Sequence, residues 1–214
     1  MSDPFSFDDD IPAAPADPHL LEALEQEAPI LVRMRKFATT LREVDWFAHL
    51  GERPAPIVRE ISASYLERLG FPDAELAILP DWEDAAAAAE TLDWASPAWD
   101  AEELARADLT ARALEVMSEE ALEVGLTLVA QHAGDAAKAA MESEAALWDM
   151  EEEGPRQLAV GAAAQTANSA ALLLVAAVAD PDLDGPDHLF TWKLRLFQAG
   201  RWPVALVGGS FNLF

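Results

Sequence analysis

The residues with the strongest claim to chemistry are His132 and Glu144 on one predicted helix and Gln165, Asn168 and Ser169 on the next. His132 and Glu144 both project into an otherwise apolar sector, and desolvation raises the pKa of a carboxyl group so placed, a condition enriched in functional sites. At about 100° per residue, Gln165, Asn168 and Ser169 share one sector with Gly161 and Leu172. Val160, Leu174, Val175 and Val178 lie on the other side. If the two helices pack as a hairpin, this polar line and the two titratable groups converge on a small internal pocket. Side chains that satisfy one another between helices, or a polar line facing solvent, are the alternatives.

Metal chemistry has two weaker candidates. Asp180, Asp182, Asp184 and Gly185 follow the ligand spacing of a calcium-binding loop. The position that needs a bidentate Glu is Thr191, however, and Pro186 stands where a flexible carbonyl ligand is required. An acidic, solvated turn with weak cation affinity is the expectation. Asp45 and His49 would share a helical face, with Glu43 or Glu52 in reach, which is a start for zinc. No third ligand is visible, so a helix-end ion pair is the simpler reading.

Other chemistries lack their residues. None of the four histidines follows a Glu or Asp by three positions, so the Glu-x-x-His pairs of di-iron bundles are absent. There is no cysteine, which excludes disulfides, thiolate metal sites and cysteine nucleophiles. Neither a phosphate-binding glycine loop nor a nucleophile elbow occurs, and no cofactor is expected. Lys193, Arg195 and Arg201 are a local concentration of basic residues, expected to pair with the chain's own carboxylates; an anion site is the lesser alternative.

The elements that must position these residues are helices, because Ala, Leu and Glu dominate and runs of alternating β-branched residues are scarce. Residues 158–179 contain no charge and are long enough for a membrane span. Gln165, Thr166, Asn168 and Ser169 lie at the middle, where hydrocarbon would leave them unsatisfied, and Glu151, Glu152 and Glu153 precede the run. The expectation is the core helix of a bundle, paired through the Glu153, Gly154, Pro155 turn with a helix that starts after Ser118 and continues to about Met150. Its buried stripe should be Leu122, Leu126, Val129, Ala133, Ala136 and Ala140.

Earlier helices should start at Asp17 and Pro18, break at Pro29, resume at Ile30, and stop near Gly51. Others should run from Pro54 or Pro56 to Leu69, capped by Gly70, from Asp81 to about Leu92, and from Asp100 to about Met117. Residues 71–80 are a helical turn or a short extended piece. Residues 188–198 fit either a strand or a helix, and Gly200 in a capping position favours helix. Gly208 and Gly209 between apolar runs mark a hairpin over about 202–214.

Together these give a mainly α fold: a single helical bundle of about seven helices over residues 17–214, closed by a C-terminal β-hairpin, behind a disordered acidic tail of residues 1–16. With 39 acidic residues against 14 basic ones, the formal charge of −25 argues against nucleic acid and anionic membranes as partners. No secretory signal opens the chain, so a cytoplasmic location is expected. The leading functional expectation is a non-catalytic module that binds another protein, or a second copy of itself, through exposed tryptophans and the hairpin. The alternative is a helical enzyme or small-ligand binder built around Glu144, His132, Gln165 and Asn168, and the third is a weak metal binder.

Overall fold

The computed structural model describes residues 29–214 apart from 92, 94 and 184. The expected tail, the helix expected after Pro18, and Asp184 lie outside the described residues. Among the described residues the fold is seven α-helices and a three-stranded sheet: α1 Ile30–Thr40, α2 Pro56–Leu69, β1 Glu75–Ile78, α3 Trp82–Glu90, α4 Pro97–Ala113, α5 Glu119–Trp148, α6 Glu153–Ala179, α7 Leu189–Gln198, β2 Pro203–Val207 and β3 Ser210–Leu213. It is a mainly α bundle with a small β element, as composition and periodicity predict.

Local chemistry explains most boundaries. Pro56 opens α2, where a missing N–H costs nothing, and Gly70 ends it at φ 94°. Asp81 and Ser118 accept the Asp84 and Ala121 N–H groups at the starts of α3 and α5. Two expected boundaries are corrected. Helix α4 starts at Pro97 rather than near Asp100, because the Ser96 hydroxyl accepts from Trp99 N–H. The chain after Ile30 leaves helical geometry at Val44 rather than near Gly51. Phe47 adopts φ 60°, and the Trp46 indole donates to the Leu41 carbonyl at 2.9 Å, closing the helix end.

Helix α6 is central. It packs against α5, α4 and α7 and touches α1 and α3. Ala159, Ala163, Ala167, Ala171 and Val175 are fully buried along it, and Val129, Ala133 and Ala137 along α5. Small residues at every fourth position let the two helices approach closely, ridge into groove. The α5 stripe is rotated slightly from expectation: Ala121, Gly125, Ala137 and Met141 are buried, while Leu126, Ala136 and Ala140 are half-buried. By length and composition α6 could also cross a membrane, but half of its most apolar window is buried inside the bundle.

The hairpin forms as expected. Gly208 and Gly209 take φ 55° and 89°, the left-handed pair that matches strand twist in a two-residue turn. Residues 75–78, too short to classify from sequence, add a strand parallel to β3 from Glu75 opposite Ser210 to Ile78 opposite Leu213. The strand order is β1-β3-β2, so β2 is an edge.

Candidate functional site

A cleft of about 980 Å³ opens where α6, α2, α4, α7 and the sheet meet. Helix α6 contributes Gly154, Leu158, Gly161, Ala162 and Gln165, residues at helical spacing that present one face. Tyr65 and Leu69 come from α2, Trp99 and Glu102 from α4, and Lys193 from α7. Strand β2 contributes Pro203, Val204, Ala205 and Leu206. The walls are mostly apolar, and Glu90 and Asp93 stand at the acidic margin.

One polar cluster interrupts those walls. Glu102 is 4% exposed, and its Oε1 accepts from the Tyr65 hydroxyl at 2.5 Å and from Lys193 Nζ at 2.6 Å. Arg106 Nη1 donates to Oε2 at 3.0 Å and Nη2 to Glu103 at 2.7 Å. Arg106 also lies over the Trp99 and Phe190 rings. Burial alone would raise the Glu102 pKa; the Lys193 charge and hydrogen bond, the Tyr65 hydrogen bond and the Arg106 charge outweigh it and bring it down to about 2. Burial, together with the neighbouring Glu102 charge, pushes the Tyr65 hydroxyl well above its usual value. At neutral pH Glu102 is therefore a carboxylate and Tyr65 a phenol. Neither is poised near neutrality, as a general acid or base needs to be.

Gly161 has a different significance. Glycine inside a helix costs about 0.5–1 kcal/mol relative to alanine, so a helical glycine usually answers a packing demand. Gly125 does so, since a Cβ there would lie 2.6 Å from Met34 Sδ. At Gly161, as at Gly134 and Gly154, a Cβ would meet nothing within 4 Å; Gly161 and Gly154 border the cleft.

The residues singled out from sequence are distributed as follows. Of the polar line, Gln165 and Gly161 line the cleft. Ser169 is buried and donates to the Gln165 carbonyl at 2.9 Å, and the Asn168 Oδ1 is buried without a hydrogen-bond partner. The structure does not bring His132 or Glu144 to Gln165. His132 packs toward α1, its Nδ1 donating to the Ala38 carbonyl at 3.0 Å and its Nε2 accepting from Arg42 at 3.3 Å. Glu144 is half-buried on α5 away from the cleft.

Asp180 accepts from Arg112 Nη1 at 2.5 Å and, through its other oxygen, from the Asp182 N–H at 3.1 Å. Among the described residues no group of three His, Asp or Glu side chains is arranged to hold a metal ion. His49 pairs with Glu52 at 3.2 Å rather than with Asp45; residues 44–51 are not helical, so the face that Asp45 and His49 would share does not form.

The basic trio divides: Lys193 binds Glu102, Arg195 lies 4.2 Å over the Trp192 ring, and Arg201 donates to the Glu52 carbonyl at 2.8 Å. The exposed tryptophans expected as a recognition surface are not found among the described residues. Trp46, Trp82 and Trp202 are buried and Trp99, Trp148 and Trp192 half-buried.

Sequence reasoning missed Tyr65, Glu102 and Trp99. The available signals were faint: Tyr65 is the chain's one tyrosine, and Glu102 lies on α4 beside an identical, exposed neighbour, Glu103. No protein-family model, curated protein or solved structure matches this chain.

Proposed function

We propose that this chain is a non-catalytic binding protein of the cytoplasm, and that its recognition surface is the cleft beside Gly161. The observation that carries this reading is a large apolar cleft whose buried carboxylate, Glu102, is already paired with Lys193, Tyr65 and Arg106 and is held away from neutral-pH proton transfer. A site of this make-up orients and shelters a guest rather than transforming it. The open position at Gly161 leaves room on the α6 face of the cleft.

Binding of a neutral apolar dye such as Nile red, followed by fluorescence, tests the reading. The wild-type chain and Gly161→Ala should both bind it. Gly161→Phe, which projects a ring into the cleft without meeting other atoms at its Cβ, should lose binding while circular dichroism stays helical. Undiminished dye binding by a folded Gly161→Phe chain overturns the assignment of this cleft.

A further inference from the structure

We infer that the guest is an extended peptide segment of another protein, seated as an added strand along β2, with apolar side chains in the cleft and basic residues beyond it. The inference rests on the cleft being the binding surface, and on three further observations.

The first is how β2 meets the cleft. Pro203, Val204, Ala205 and Leu206 all border it. Val204 has no partner on β3, where the register shifts between Pro203 and Ala205; such a bulge re-aims neighbouring side chains, and Phe211 of β3 lines the cleft beside these four residues. The second is that among the described residues β2 ends the sheet, with β3 as its only strand neighbour. Half of an edge strand's backbone N–H and C=O groups lie unpaired by the sheet, and an extended peptide can pair with them. Pro203 carries no N–H, so residues 204–207 can offer both backbone groups, and at about 3.3 Å per residue they match a peptide core of about four residues.

The third is charge. A second cavity of about 340 Å³ shares Glu90 with the cleft. It is surrounded by Glu83, Asp149, Glu151 and Glu152, with the Trp82 ring in its wall. A peptide leaving the cleft past Glu90 enters this acidic cup, where lysine or arginine side chains find carboxylates and an aromatic wall. A net charge of −25 attracts a basic segment and repels an acidic one at long range.

The test is a selection of phage-displayed random dodecapeptides on the full chain, with the folded Gly161→Phe chain as counter-selection. Enriched peptides should alternate apolar residues over a short core and carry a basic flank. A synthetic copy should displace Nile red. Methylating alternate backbone nitrogens of its core should weaken binding about tenfold or more, because two or so main-chain hydrogen bonds are lost. Glu151→Lys and Glu83→Lys, both at exposed positions, should weaken it further and flatten its salt dependence.

Three results overturn the inference: no enrichment, affinity unchanged by N-methylation, or enriched peptides without a basic flank. If any of these occurs while the dye still binds wild type and not Gly161→Phe, the cleft remains a binding site and its guest is a small molecule. If the dye result also fails, the cleft assignment falls with it.

Discussion

Replacing Glu102 with glutamine removes the one buried carboxylate on which α2, α4 and α7 converge. The folded-state pKa of about 2 lies below the ordinary value of 4.5, a difference of about 2.5 pH units. At 1.36 kcal/mol per unit this is worth about 3 kcal/mol of folding stability. With a side chain only 5% exposed, solvent screening takes little of that away. The sign follows from the direction: the stabilisation is complete above pH 4.5, where the unfolded carboxyl is ionised too, and is lost as the pH falls toward 2.

Glu102→Gln should therefore be about 3 to 5 kcal/mol less stable than wild type at pH 7, the range seen when one partner of a buried ion pair is removed. The gap should have shrunk by about 2 kcal/mol at about pH 3. Urea denaturation of both chains, read by tryptophan fluorescence at pH 7 and pH 3, measures it. The difference between the chains is the informative quantity, because 39 acidic residues titrate in the same range. A gap below about 1 kcal/mol at pH 7, or one of equal size at both pH values, refutes the account of Glu102 as an ionised anchor.

Three other outcomes follow from named positions. Gly51 has φ 67°, and a Cβ there would lie 2.8 Å from the Pro80 carbonyl oxygen and 2.7 Å from Trp148, so Gly51→Ala should cost about 2 to 4 kcal/mol in the same urea assay. Gly134→Ala, on α5 where nothing lies within 4 Å, should instead gain about 0.5–1 kcal/mol. His188 caps α7 by accepting the Phe190 N–H at Nδ1, 3.2 Å away. Burial lowers its pKa from 6.5, against a weaker opposing pull from Asp108, so its contribution is complete above 6.5 and declines as the pH falls below it. A His188→Asn chain, which caps without titrating, should lose that decline in thermal melts between pH 7 and pH 5.

What could be read from the sequence was whatever neighbouring residues decide. Asp81, Ser118, Pro56 with Gly70, and Gly208 with Gly209 act within a few positions, and each marks its element correctly. What could not be read depends on partners far along the chain. β1 is four residues with no pattern of its own, paired with residues 210–213. Glu102 finds Tyr65 at a separation of 37 residues and Lys193 at 91, and no local rule separates it from the exposed Glu103 beside it. The polar line on α6 lay between these cases. Periodicity located Gly161 and Gln165 on one face, but His132 faces α1, a partner 94 residues away, and meets the Ala38 carbonyl there.

The pairing of β1 with β3 bears on how the protein reaches this structure. Joining Glu75 to Ser210 closes a loop containing α3 through α7, and the entropy of that closure is lost before four residues of ladder can compensate it. The helices gain their contacts over shorter distances, α5 and α6 through a single turn. The β1–β3 pairing is thus expected late in folding, whereas β2 meets β3 through a two-residue turn and needs no long closure. Refolding followed by helical signal should run ahead of refolding followed by guest binding, because the β2–β3 hairpin is only marginally stable until it docks on the bundle and on β1.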